Sequence, residues 1–470
     1  VHCCKSTAAS PLPTRRRQPA TALPGETGPV IAVLKQSWAL LLGMLLLMLG
    51  NGLQGTLLGV RGSLEKIDAG TMGYIMSAYF VGFLLGSRAA PWMLQRVGHV
   101  RVFAALGSFV SAAFILYGAI VDPLAWTLLR LVVGFCFSGI YVVAESWLNH
   151  SSNNETRGQA LSLYMIVQMS GMVLGQLLLN VADPAGYGLF VLITVLVSIS
   201  FAPMLLSSSP APRHQSARAM PLATLIRTSP LASVGMLLLG GVFSALYAMA
   251  SVYATERGLS VANTSLFITA IFLGGVVFQV PIGWLSDRVD RRVLIIGTTG
   301  VGALGGVLAV IAGASFPILL GCAFLLGGIA SPLYSLLVAY ANDYLEVEQM
   351  AAASGGLLFI NGCGAMTGPI LVGWAMSNYG VEWFFLSMVI LLSMICVYGL
   401  YRMTQRAHIV ADEPAPYLPI SSRTGIVATE MALVAADEAQ LEAMEDEEET
   451  LGTQALDDPR GDPDSTSDTR

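Results

Sequence analysis

Apolar residues in this chain gather into long runs, and polar residues gather between them. About twelve runs stand out, over residues 37–59, 71–92, 100–121, 124–147, 158–180, 186–206, 231–254, 263–285, 293–313, 315–340, 351–375 and 382–402. Each approaches the roughly 20 residues with which a helix crosses a bilayer. Lipid offers no water to satisfy peptide groups, so runs of this length are expected to be helices. The pattern predicts an all-α polytopic membrane protein with about twelve transmembrane helices.

Two of these runs repeat one another without a gap. From Ser77 the chain reads SAYFVGFLLGSRAAPWMLQRVGHVR, and from Thr269 it reads TAIFLGGVVFQVPIGWLSDRVDRRV. Ala78, Phe80, Gly82, Trp92, Arg96 and Val97 fall on Ala270, Phe272, Gly274, Trp284, Arg288 and Val289. A second echo places Gln168, Gly171 and Gly175 on Asn361, Gly364 and Gly368. Glycines at this spacing let helices approach closely. The expected organisation is a cytoplasmic N-terminal segment (1–34), a six-helix half (35–206), a linker (207–229), a second six-helix half (230–405) and a tail (406–470). A parallel repeat of hydrophobic helices is the pattern of a transporter whose two halves rock about a central site.

Charge sets the expected orientation. Arg96, Arg101, Arg157, Arg213, Arg218, Arg227, Arg288, Arg291 and Arg292 follow even-numbered runs, whereas only Arg61, Lys66 and Arg257 follow odd-numbered ones. Cytoplasmic loops retain Lys and Arg, so both termini are expected on the cytoplasmic side of an inner (plasma) membrane. The net charge of −6 misleads unless it is partitioned. Residues 411–470 hold sixteen acidic residues against three arginines, which leaves the membrane portion basic. The tail reads as mostly disordered, with no part in transport. His2-Cys3-Cys4 and the following arginines lack the apolar run of a signal peptide. Cys136, Cys322, Cys363 and Cys396 lie in apolar runs at no metal-ligand spacing and read as packing residues.

The second copy of the repeat ends in Gly283-Trp284-Leu285-Ser286-Asp287-Arg288-Val289-Asp290-Arg291-Arg292, which resembles the GxLxDRxGRR signature of the major facilitator superfamily. Asp290 departs from it at the second glycine. Leu129-Arg130-Leu131-Val132-Val133-Gly134 resembles the RxxxG pattern that the superfamily carries in its fourth helix, and GAMTGP in the eleventh run resembles its glycine-proline signatures. Ala144-Glu145-Ser146-Trp147-Leu148-Asn149 is similar to the YcaD-type branch of bacterial inner-membrane transporters. The resemblance covers roughly residues 35–405. It implies a gate in which Asp287 accepts from Arg288 or Arg292, with Arg96 at the matching position of the first copy, where Gln95 replaces the carboxylate.

Arg130 is the leading candidate for substrate chemistry. It reads as the cation held well inside a span, where a charge costs roughly 2.5 kcal/mol or more unless it finds a partner or water. Gly134, Ser138, Tyr141 and Glu145 follow it at offsets of 4, 8, 11 and 15, on one helical face. The resemblance implies a cavity lined by the first, fourth, seventh and tenth helices. Those supply Asn51 and Gln54, Arg130 and Tyr141, Ser244, Tyr247 and Ser251, and Ser331, Tyr334 and Ser335. Glu145 is either a structural partner of Arg96 or Arg157 or a group that couples transport to an ion. The five histidines read as loop or terminal residues, and no metal cluster, paired carboxylates or nucleotide-binding loop appears, which sets enzyme chemistry and an ATP motor aside.

These readings converge on a monomeric secondary transporter that uses no cofactor and no metal and works by alternating access, driven by a proton or sodium gradient. Its partners are the lipid bilayer and a small-molecule substrate, not nucleic acid. Arg130 favours a small organic anion or zwitterion. The alternatives are a cationic drug or metabolite exporter, and a transporter-like sensor or scaffold that signals through its acidic tail.

Overall fold

Residues 29–152, 154–206, 220–311, 315–345 and 347–405, with 431–432 and 435, are described by a computed structural model. Among them every regular element is a helix: α1 (Pro29–Leu64), α2 (Ala69–Val97), α3 (His99–Ala119), α4 (Pro123–Ser151), α5 (Asn154–Leu178), α6 (Gly188–Ser200), α7 (Ala202–Leu206), α8 (Leu222–Thr228), α9 (Pro230–Ala248), α10 (Ala250–Glu256), α11 (Val261–Ser286), α12 (Arg291–Ile311), α13 (Phe316–Asn342), α14 (Val347–Tyr379) and α15 (Trp383–Gln405). Twelve crossings are long and apolar enough to span a membrane. The sixth run is broken at Phe201 into α6 and α7, and the seventh at Met249 into α9 and α10.

Where the helices begin is set by short polar side chains. Asp68, Asp122 and Ser260 accept from the amides of Thr71, Ala125 and Asn263 at 3.0, 2.8 and 3.2 Å. Each cap satisfies an amide that the first helical turn leaves open. All three precede even-numbered spans, at the arginine-poor end of the bundle. At the opposite end the two copies of the repeat turn differently. Gly98 has φ +82°, which suits glycine, while its counterpart Asp290 accepts from the amide of Arg292 at 2.9 Å. The aspartate that breaks the signature therefore acts as a helix cap, and the turn needs no left-handed residue there.

The two halves share one packing scheme. In the first, α2 lies on α4, α1 on α5, and α3 on α6; in the second, α11 lies on α13, α9 on α14, and α12 on α15. A Cβ added to Gly82 would stand 1.9 Å from the carbonyl of Leu131, and one on Gly134 1.9 Å from that of Tyr79. The same clash recurs at Gly274 with Phe324 and at Gly327 with Ile271, at 1.9 and 2.0 Å. Any larger side chain would force these helix pairs apart.

Between the halves, three helix pairs meet at the arginine-poor end. Gly59 of α1 abuts Ser251 of α10, Ser265 of α11 donates to the carbonyl of Gln176 of α5 at 2.6 Å, and the amide of Gly70 of α2 donates to Ser377 of α14 at 2.7 Å. The α2/α14 seam continues along the bundle: Gly73 against the carbonyl of Pro369, Ser77 donating to that of Met366, Leu84 against Gly362, and Arg88 over Phe359.

The expected linker contains a helix, α8, whose Leu225 is buried beside Gly356 of α14. Most of the tail, and the thiols Cys3 and Cys4, lie outside the described residues. The tail residues that are described depart from a fully solvated segment: Met431 and Ala432 are helical and buried, and Ala435 sits over Gly158 of α5.

Candidate substrate cavity

A cavity of about 870 Å³, counting the space at its open side, lies between the halves. Its walls come from α1 (Asn51, Gly55), α2 (Met76, Tyr79, Phe80, Phe83, Leu84), α4 (Arg130), α5 (Met172), α9 (Phe243, Tyr247, Ala248) and α14 (Leu358, Asn361, Gly362, Ala365). Aromatic rings from both halves face it. Tyr79 and Phe83 lie 6.2 Å apart on one side, and Phe243 and Tyr247 lie 4.4 Å apart on the other.

Arg130 supplies the charge. Gly134, one turn along α4, lets the helix press on the backbone of α2 at Tyr79. This approach brings the guanidinium to 5.7 Å from the centre of the Tyr79 ring. Its NH1 donates to Gln54 Oε1 at 3.1 Å and its NH2 to Met76 Sδ at 2.8 Å. Among the described residues no carboxylate pairs with it, and both its Nε and Gln54 Nε2 are buried without a hydrogen-bond partner. A guanidinium that is 5% exposed and held by an amide, a thioether and a ring is electrostatically undercompensated.

The structure brings three of the six predicted substrate residues to the cavity wall: Arg130, Asn51 and Tyr247. Gln54 stands behind the wall, bonded to Arg130. Tyr141 is buried behind Phe83, with ring centres 6.2 Å apart, and its hydroxyl donates to Met48 Sδ. Tyr334 is buried away from the cavity, and nothing from α13 lines it. Ser335 receives a hydrogen bond from Gln279 at 3.2 Å instead, Ser244 bonds the carbonyl of Gly241, and Ser251 packs on Gly59. The second and eleventh spans take the place assigned to the tenth. Asn361 reaches the wall, while Gln168, its counterpart in the repeat, does not.

Sequence reasoning missed the aromatic wall of α2, although Tyr79, Phe80 and Phe83 lie inside the repeat itself. Helical spacing from Met76 was the available signal, since 76, 79, 80 and 83 share one face. It also passed over Arg88, which lies within α2, nine residues before its end.

The predicted gate residues sit at the arginine-rich end. Asp287, half exposed, has Arg291 at 3.8 Å, and Arg291 also pairs with Asp343 of α13. Arg292 pairs with Asp290 at 2.9 Å. Arg288 stacks on Trp284 and donates to its carbonyl, and Arg96 stacks on Trp92. That stacking occupies Arg96, one of the two arginines, with Arg157, expected beside Glu145. That carboxylate is fully buried on α4, within electrostatic reach of the hydroxyls of Tyr164 and Tyr334. One histidine also departs from its expected place: His99 opens α3, is buried, and shares a 2.9 Å hydrogen bond with Ser146, next to Glu145.

Comparison with known proteins bears on this architecture as a whole. The Major Facilitator Superfamily profile matches in two stretches, residues 40–271 and 232–435. The chain is similar to an uncharacterized MFS-type transporter of Enterobacter sp. (strain 638), 28% identical over 343 residues, covering 72% of this chain and 88% of that one. It is also similar to the uncharacterized MFS-type transporter YcaD of Escherichia coli (strain UTI89 / UPEC), 29% identical over 373 residues, covering 78% and 95%. Among solved structures, the nucleoside transporter NupG (D323A mutant) superposes with a TM-score of 0.70 at 13% identity, over 79% of this chain and all of that one. A bacterial homolog of the human lysosomal transporter Spinster superposes with a TM-score of 0.63 at 14% identity, over 89% and 98%. Twelve apolar crossings, a duplicated packing scheme, a cavity between the halves and a profile match across both of them lead to one conclusion: the chain belongs to the Major Facilitator Superfamily, as a multi-pass inner-membrane secondary transporter and not an enzyme.

Proposed function

We propose that this transporter carries a small organic anion or zwitterion whose negative group meets Arg130. One observation supports the reading above the others: a buried guanidinium on the cavity wall with no carboxylate among the described residues to neutralise it. An anion supplies the missing charge, and its oxygens can take up the unspent donors of Arg130 Nε and Gln54 Nε2. The aromatic faces on either side suit the apolar body of such a molecule. In this reading the arginine-rich end is cytoplasmic, the present structure is closed at the opposite end, and transport proceeds by rocking of the halves. Glu145, buried at the level of Tyr334 in the other half, is the group we assign to coupling with a proton gradient.

The test is thermal unfolding of the purified protein with a panel of organic anions, zwitterions and cations, beside Arg130→Gln. A ligand specific to the folded state stabilises it by about 2.7 kcal/mol at a hundredfold excess over its Kd. Anions should stabilise the wild type and leave the variant unmoved. The variant itself should fold, because it sheds an undercompensated buried charge. Stabilisation by cations, or equally in both proteins, would sink the assignment and favour the exporter reading.

A further inference from the structure

Arg88 lies on α2 one turn beyond the cavity residue Leu84, toward the arginine-rich end. It stands eight residues before Arg96, about 12 Å deeper along the helix. Arg96 stacks on Trp92 of its own helix, the arrangement of an interfacial anchor. Arg88 instead turns across the seam, with its guanidinium carbon 4.8 Å from the centre of the Phe359 ring on α14 of the other half. Among the described residues no carboxylate pairs with it. A ring beneath a guanidinium holds its charge by cation–π attraction and offers no oxygen to take up its N–H donors.

The repeat sharpens the point. Counterparts of Arg88 and Phe359 in the other copy are Val280 and Ile166. A charge needed only to anchor or orient a duplicated helix would be expected in both copies, yet this one occurs once. It occurs on the helix that forms the aromatic cavity wall, next to the lining residues Leu84 and Leu358. We infer that Arg88 is a second anion-binding residue, at the arginine-rich mouth of the cavity, where a carboxylate pauses on its way to or from Arg130. Phe359 holds the guanidinium in that place by cation–π attraction. The cargo in this inference rests on the Arg130 reading; the mouth site itself is testable without it.

Cys363 is a built-in reporter. It is half-buried on α14, beside the lining residue Gly362 and one turn from Phe359, within electrostatic reach of Arg88. In the full chain with every other cysteine changed to Ser, purified in detergent, the rates of Cys363 modification by anionic, cationic and neutral methanethiosulfonates are compared. With Arg88 present the anionic-to-cationic rate ratio should exceed that of Arg88→Gln by about tenfold, as charge in a low-dielectric cleft concentrates counter-ions. Arg88→Lys should keep most of the excess. Raising ionic strength should collapse it without any substitution at residue 88, which keeps the test valid if the Gln variant does not fold. An unchanged ratio in Arg88→Gln, or neutral reagent slowed as much as anionic, would overturn the inference, the latter marking Arg88 as a mechanical latch. Anion stabilisation that needs Arg130 with a ratio indifferent to Arg88 defeats this inference alone. A ratio that depends on Arg88 with no anion stabilisation defeats the Arg130 reading alone.

Discussion

Two of the seams that join the halves are copies of one another in origin and differ in extent. Along α2 and α14 the contact runs from Gly70 and Ser377 at the arginine-poor end, through Gly73 and Pro369, to Arg88 and Phe359. Along α11 and α5 the hydrogen bond from Ser265 to Gln176 holds the arginine-poor end, but Val280 and Ile166, the counterparts of Arg88 and Phe359, are 76% and 61% exposed. The difference lies in residue type. Glycine at 73, where the other copy has Ser265, allows backbone to meet backbone, and an arginine facing a ring extends the contact past the cavity. Duplication thus supplied two seams, and a few substitutions let one run past the cavity and confined the other to the arginine-poor end.

The comparison can be broken most directly at Gly73. A Cβ there would stand 2.3 Å from the carbonyl of Pro369, so Gly73→Val must push α2 and α14 apart, at about 1–3 kcal/mol. The matching Ser265→Val on the other seam loses one hydrogen bond and should cost about 1 kcal/mol. Thermal unfolding of both measures the asymmetry, and equal losses would show that the seams bear equal load.

A smaller effect is expected from Asp287→Asn. Asp287 ends α11, on the short seam, and its pairing with Arg291 fixes the loop at the arginine-rich end. The variant should shift the balance between the two open states, seen as altered cysteine labelling from the two sides of the membrane. Unchanged labelling would remove the gating role we assign to it.

The smallest effect belongs to Asp68→Asn at the far end of the long seam. Partial burial would raise the Asp68 pKa, but hydrogen bonds from Thr71, Ser377 and Gly70 outweigh it and hold the carboxyl below its ordinary value of 3.8. Its contribution is therefore complete above that value and fades as pH falls through the lowered one. Asn caps a helix nearly as well as Asp, so the variant should lose only about 0.5 kcal/mol near neutral pH. It should also lose that acid dependence, which unfolding at stepped pH would register.

Much of this was legible in the sequence, and the boundary is physical. Span count, duplication and the glycine pairs depend on run length and spacing, which a linear string preserves. Which face of a span meets the cavity depends on helix rotation, which it does not. Tyr79, Phe80 and Phe83 look the same in a string whether they face lipid or substrate. Arg130 was recognisable because a charge in lipid must have a reason, whereas Arg88 lay too near the end of its run to attract the same argument. Tyr334 looked like a cavity residue because a polar tip on an apolar helix fits either setting.

Burial of Met431 and Ala432, with Ala435 over Gly158, has a bearing on how the protein is made. Gly158 belongs to the fifth span, and Ala435 emerges from the ribosome 277 residues later. At typical elongation rates that is roughly 15 to 55 s. For that interval Gly158 stands without Ala435 over it, so a contact of the fifth span is completed by a segment made long after it.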